Sequence, residues 1–203
     1  MAETLTQLIG VVRKCRICYD NPVGKPLGHE PNPVLQVAAS ARILIAGQAP
    51  GIRVNRSGRP FTDPSGVRLR EWLGIGEDVF YDPAHVAIMA MGFCFPGHDA
   101  HGGDLPPRRE CAPAWRSRVM AHLGNLELII CLGRHAQLWH MGELVRPTMA
   151  ETVANWRAGL KLRPKVLALP HPSWRNSGWL KKNPWFAEEL LPALRREVKK
   201  ALR

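Results

Sequence analysis

Four short apolar runs set the framework of this chain. They are ARILIAG (41–47), HVAIMAM (85–91), LELIICLG (126–133) and KVLALPHP (165–172), and each is continuous rather than alternating. A strand that is apolar on both faces belongs to a sheet covered on both sides, the habit of parallel sheets. Between the runs the apolar spacing becomes helical. Helices are predicted over 3–14, 66–73, 107–122, 134–141 and 184–203. Asp63 or Ser65 is placed to cap the second of these and Gly74 to stop it. Pro107 falls near the first turn of the third, Gly124 follows its end, and Pro192 is expected to kink the last. Segments 19–40, 48–64 and 92–107 read as ordered loops. The expectation is a single α/β domain over 1–203, a three-layer α/β/α fold with a four-stranded, mostly parallel central sheet. No internal repeat interrupts it.

Composition narrows the class. With 45% hydrophobic and 22% charged residues among 203, the chain has ordinary globular balance. Its apolar runs are too short to span a bilayer, and MAETLTQLIG lacks the basic start and apolar core of a secretion signal. A cytoplasmic monomer with no membrane partner is expected. Charge is lopsided: 28 Lys and Arg face 17 Asp and Glu, net +11. Residues 161–203 hold eleven of the cations and three of the acids, so they alone supply +8. That suits a polyanionic partner such as nucleic acid, although a merely solvated basic helix would look the same.

Parallel α/β sheets bind ligands beyond the carboxyl ends of their strands. Three unusual loops lie there. GQAPGIRVNRSGRPFTDPSG (47–66) opens with Gly47, Pro50 and Gly51, a tight turn able to present N–H groups to an anion or a flat polar ring. No GK[ST] follows, so it is not a P-loop. Phe61 is suited to stack on a planar base and Asp63 to position a water, while core packing and helix capping are their plainer readings. PHPSWRNSGWLKKNPW (170–185) puts His171 between two prolines. Trp174, Arg175, Asn176, Trp179, Lys181 and Lys182 then interleave aromatics with cations, a pattern for insertion into a base stack beside clamped phosphates. The plainer reading packs the tryptophans and solvates the cations.

The five cysteines divide similarly. Cys131 lies inside an apolar run and reads as core. Cys15 and Cys18 form a CxxC, and Cys94 and Cys111 make a second pair. Four thiolates can close a zinc site or hold an iron–sulfur cluster; otherwise they are four unrelated thiols.

Taken in order, these motifs resemble the uracil-DNA glycosylase superfamily. GQAPG (47–51) is similar to its first motif, GRPFTDPSG (58–66) to the stretch that follows, CLG (131–133) to its strand–turn element and HPSWRN (171–176) to its second motif. The four cysteines fall where the iron–sulfur branches, families 4 and 5, carry theirs. The resemblance implies hydrolysis of the N-glycosidic bond of uracil, or another deaminated base, flipped out of DNA. It implies a structural 4Fe–4S cluster on Cys15, Cys18, Cys94 and Cys111, with zinc the lesser alternative. Phe61 would stack on the base, and the backbone of Gly47, Ala49, Pro50 and Gly51 would contact it. His171 would stabilise the leaving anion. Asp63, or else Gln48 or Asn55, would hold the water. Ser173, Trp174, Arg175 and Asn176 would enter the duplex, with Lys181 and Lys182 on phosphates. No lysine in the first motif is placed for a Schiff base, so the activity is expected to be monofunctional. Two positions depart from the pattern. Ala90 stands where uracil-selective branches carry Asn, and Gln48 where one iron–sulfur branch carries Glu. NRSGRPFTD (55–63) is closer to the broader-specificity branch. A glycosylase for hypoxanthine or xanthine, and a non-catalytic DNA-binding module, are the alternatives. A free-nucleoside hydrolase suits the basic tail poorly.

Overall fold

The computed structural model of the protein describes residues 3–203. Its helices and strands follow in the order α1 (Leu5–Arg13), α2 (Ile17–Asp20), β1 (Ile43–Ala46), α3 (Ile52–Ser57), α4 (Pro64–Leu73), α5 (Glu77–Phe80) and β2 (Val86–Ile88). Then come α6 (Ser117–Met120), β3 (Leu128–Leu132), α7 (Arg134–Met141), α8 (Met149–Ala154), α9 (Trp156–Gly159), β4 (Lys165–Leu169), α10 (Ser177–Lys182) and α11 (Leu191–Ala201).

All four apolar runs form strands of one sheet, ordered β2-β1-β3-β4, and every pairing is parallel. Every residue of β1, β2 and β3 is buried, which is why those runs do not alternate. The strand order fixes the layers. The crossover from β1 to β2 steps one way along the sheet, while those from β2 to β3 and β3 to β4 step the other way. Right-handed crossovers therefore put α4 on one face and α6 to α9 on the opposite one. Contacts agree: α11 packs on α4 and β3, whereas α1 packs on α6, and α7, α8 and α9 cover β3 and β4.

Local chemistry sets the helix ends. Thr4 and Gln7 make a reciprocal capping box for α1, as Thr148 and Glu151 do for α8. Pro64 opens α4, and Gly74, left-handed at φ 68°, closes it. Proline also explains two differences from the sequence reading. The helix expected from 107 starts only at Ala112, as a π-type turn over Ala112–Arg116 that continues into α6, because Pro113 has no N–H to give. The C-terminal helix likewise begins as a π turn, Phe186–Leu190, before Pro192 resets it as α11. The fourth strand ends at Leu169, not 172, since Pro170 and Pro172 cannot donate to a ladder. Six helices of four to six residues, α2, α3, α5, α8, α9 and α10, were not foreseen from periodicity, which such short segments cannot display. Among the described residues no helix is long and apolar enough to cross a membrane.

Candidate active site

The cavity opens where the strands end. Beyond β1 the pairing with the β2 side persists for two more bonds. Met91 N–H donates to Gly47 O and Gly92 N–H to Gln48 O, both at 2.9 Å. The turn Gly47–Gly51 is thereby held against the segment after β2, and Gly51 becomes the N-terminal boundary of α3. A cavity of about 250 Å³ lies over this turn, lined also by Phe61, Asp63, Ala90, Asp104 and His171.

Phe61 has φ 55°, the one positive value among non-glycine residues that the structure describes. Such a conformation persists only where the surroundings hold it. Tyr81 O–H donates to Phe61 O at 2.9 Å and to Pro60 O at 3.0 Å. Gly66, in the first turns of α4, passes so close that a Cβ there would stand 1.9 Å from Phe61 O. The ring stacks edge-on against buried Phe80, with centroids 6.0 Å apart, while also lining the cavity. One ring thus both packs on the core and lines the cavity.

Asp63 sits at the N-cap of α4 with extended backbone, yet its carboxylate caps no helix N–H. Ser65 O–H donates to its Oδ2 at 3.1 Å, and the group lines the cavity. His171 follows β4. Ser173 N–H donates to its Nδ1 at 3.2 Å, and Asn176 Nδ2–H donates to its carbonyl at 2.7 Å. Because Nδ1 accepts, the neutral ring carries its proton on Nε2. Burial lowers the pKa below the ordinary histidine value, with Asp63 and Asp104 pulling the other way. Burial thus favours the neutral ring, with Nε2 as its N–H.

The remaining residues singled out in the sequence separate. Gly47, Gln48, Ala49, Pro50 and Gly51 all line the cavity, but Gln48 Nε2–H is engaged with Leu105 O at 3.2 Å. Asn55 does not line it; its backbone carbonyl accepts from Asn32 Nδ2–H at 2.6 Å, and its buried Oδ1 has no partner. Ser173 O accepts from Arg68 at 3.1 Å, and Trp174 is 77% exposed on a short turn with Arg175 and Asn176. Trp179 instead packs edge-on against Trp185 and Phe186, both at 5.8 Å. Lys181 and Lys182 are exposed at the end of α10 and form no ion pair among the described residues. Asp104 and Ser65 were missed. The available signal for Asp104 was position, an acidic residue in a Gly-rich loop beyond the second strand.

Cys15, Cys18, Cys94 and Cys111 converge as well. All four line one small cavity with Trp115, Arg108 and Glu110. Trp115 Nε1–H donates to Cys15 Sγ at 3.1 Å and Phe93 N–H to Cys111 Sγ at 3.3 Å. Burial pushes the Cys94 and Cys111 thiols up to about 12 and raises Cys18. Among the described residues no three His, Cys, Asp or Glu side chains stand together as a set for a single metal ion. Cys131 is buried on β3, as expected.

A parallel, helix-covered sheet with a cavity at its carboxyl edge, walled by a glycine turn, an aromatic, a carboxylate and a histidine, defines an α/β protein with its candidate ligand site beyond the strand ends. The chain belongs to the uracil DNA glycosylase superfamily, whose sequence model matches residues 35–195. Cys15 and Cys18 lie ahead of the matched segment. Among solved structures, the chain is similar to a Methanosarcina acetivorans protein, provisionally described as a uracil DNA glycosylase and determined by solution NMR. The two share 16% identity, the match covers 80% of this chain and 94% of that one, and the TM-score is 0.47.

Proposed function

We propose that the protein is a monofunctional DNA glycosylase that hydrolyses the N-glycosidic bond of uracil, or a related deaminated base, flipped out of DNA. One observation supports it above the others. Asp63, Phe61 and His171, from two loops far apart in the chain, line the same cavity with the Gly47–Gly51 turn. Each meets one need of the reaction. Phe61 offers a face for the base. As the bond from C1′ breaks, its electron pair goes to the base, and His171 Nε2–H donates to the growing negative charge. Asp63 holds the water whose oxygen joins C1′ and takes the proton it loses. The turn contains no lysine, so no imine forms and the strand is left with an intact abasic site. Exposed Trp174 and Arg175, beside His171, suit the place vacated in the duplex.

The four convergent cysteines, with N–H donors on two of the sulfurs, support a 4Fe–4S cluster held by Cys15, Cys18, Cys94 and Cys111, with zinc the alternative. Such a cluster would crosslink the N-terminal segment to the cavity wall and contribute stability. Iron and acid-labile sulfide in equal amounts in the purified protein, both lost in Cys18→Ser, are the expected result. Stoichiometric zinc would replace this assignment.

The direct test incubates the protein with oligonucleotides carrying one uracil, hypoxanthine or xanthine, single- and double-stranded, with alkali added afterwards. Strand breaks at uracil only after alkali are expected. Ala90 leaves the wall of the cavity without an amide to read the uracil edge, and this favours a second reading, excision of hypoxanthine or xanthine. Breaks confined to those bases would establish it. Binding without any excision would leave a DNA-binding module.

A further inference from the structure

The cavity contains a second carboxylate. Asp104 lies on the segment after β2, which doubles back on itself. Leu105 N–H donates to Gly97 O at 2.9 Å, and His98 pairs with Asp104 across the bend. The Gln48 amide fastens this segment to the Gly47–Gly51 turn through Leu105 O. The two Asp104 oxygens have different neighbours. Oδ1 lies 3.2 Å from His98 Nδ1. Oδ2 faces the turn, 3.5 Å from where a Cβ on Gly51 would stand. His98 is itself held, its ring 4.9 Å from that of Phe95. One oxygen thus lies beside an imidazole on the same bend, while the other faces the Gly51 end of the cavity wall.

We propose that Asp104 is a second catalytic carboxylate, sharing with Asp63 the water that attacks C1′, and that His98 is its positioning residue. The inference rests on the glycosylase reading above. The turn provides no carboxylate of its own, since Gln48 and Ala49 occupy it and the Gln48 amide is already engaged. Asp104 supplies one through space. It also stands at the right depth. Ile88 is buried in the lining of the cavity, whereas Asp104 is at the exposed mouth, where the sugar of a flipped nucleotide remains when its base has entered. The sugar becomes cationic as the base departs with the bonding pair. An anion beside it lowers that barrier, and the water's proton passes to the carboxylate pair as its oxygen bonds to C1′. At the rim of a site for a polyanion, a carboxylate otherwise only repels phosphate.

That repulsion makes the test decisive. Single-turnover excision and DNA affinity are measured on the full chain for wild type and Asp104→Asn. Excision is expected to slow ~10²-fold while affinity is unchanged or tighter. His98→Ala should slow excision about tenfold by loosening the bend that places Asp104, and His98→Phe, which keeps a ring to pack on Phe95, should restore most of it. Asp63→Asn combined with Asp104→Asn should lose little more than the slower single variant, because both act on one water. If wild type excises and Asp104→Asn matches it, this proposal alone falls. If wild type excises nothing, the glycosylase reading falls first. Slower excision with equally weaker DNA binding would make Asp104 a docking contact, and multiplied losses in the double variant would show separate roles; either overturns the sharing. Asp104→Ser answers the same question should the Asn variant fail to fold.

Discussion

At Asp63 and His171 the atoms each side chain touches decide which groups are left to face the cavity. An aspartate at a helix N-cap ordinarily spends its oxygens on the first-turn N–H groups. Here it does not, and Ser65 donates to Oδ2 instead. Asp63→Asn is therefore expected to cost little stability but to cut single-turnover excision ~10²-fold or more; a normal rate in a folded variant would reduce Asp63 to a helix boundary. His171 gives the complementary case. Its Nδ1 is taken by Ser173 N–H, so its use as a donor at Nε2 requires the neutral ring that burial favours. His171→Ala should slow excision by about 10²–10³-fold, the usual cost of losing one donor to a developing anion. Both outcomes are read from the same rapid-quench gel series.

At the scale of elements, close approaches position these groups. α4 can run beneath the Phe61 carbonyl only because Gly66 has no side chain. Gly66→Ala puts a Cβ into backbone, which cannot swing aside. We expect a loss of roughly 1–3 kcal/mol from overpacking, read by urea unfolding, together with impaired excision as Phe61 is displaced. A second contact ties the sheet to the helices. Fully buried Arg116 donates to Met89 O at 3.0 Å and Ala90 O at 2.8 Å, and to His140 Nε2. Burial, then the Arg116 charge, lowers the His140 pKa to about 3. Between the unfolded value near 6.5 and that figure, the unfolded chain binds a proton that the native chain does not. Stability is therefore complete above about pH 6.5 and falls as the pH drops below it. Thermal melts across that range should show the decline, and His140→Gln should make it shallower. Helices such as α1 and α4 were legible from sequence because their apolar period is helical and, for α4, Gly74 marks the end. The two π turns were not, since each is the response of a helix already packed to a proline it cannot avoid.

For the whole molecule the charge matters most. The net +11 is concentrated near the C-terminus, and Lys181 and Lys182 are exposed on α10, the helix that follows the His171 loop. If they meet phosphates, replacing both with Ala should weaken DNA binding at low salt and reduce the slope of log K against log salt by about 2. The excision rate at saturating protein should not change. Anisotropy titrations at several salt concentrations check this, and an unaltered slope would make them solvated cations. Trp179 shows the limit of composition: the sequence left it open between base insertion and packing, and it packs on Trp185 and Phe186, whereas Trp174 is exposed.

The sequence by itself determined the parallel four-stranded sheet, its covered faces and the loops that carry the site, because burial on both faces leaves an uninterrupted apolar run and chirality then dictates the crossovers. It also placed Phe61, Asp63 and His171, whose neighbours in the chain mark them out. Only the tertiary structure decided which polar groups share the cavity. It turned Asn55 away, engaged the Gln48 amide with Leu105 and brought in Asp104 from a loop with no periodicity. Those outcomes depend on contacts between segments 23 and 57 residues apart in the chain. No local pattern encodes such contacts, because the free energy that selects them belongs to the packed whole.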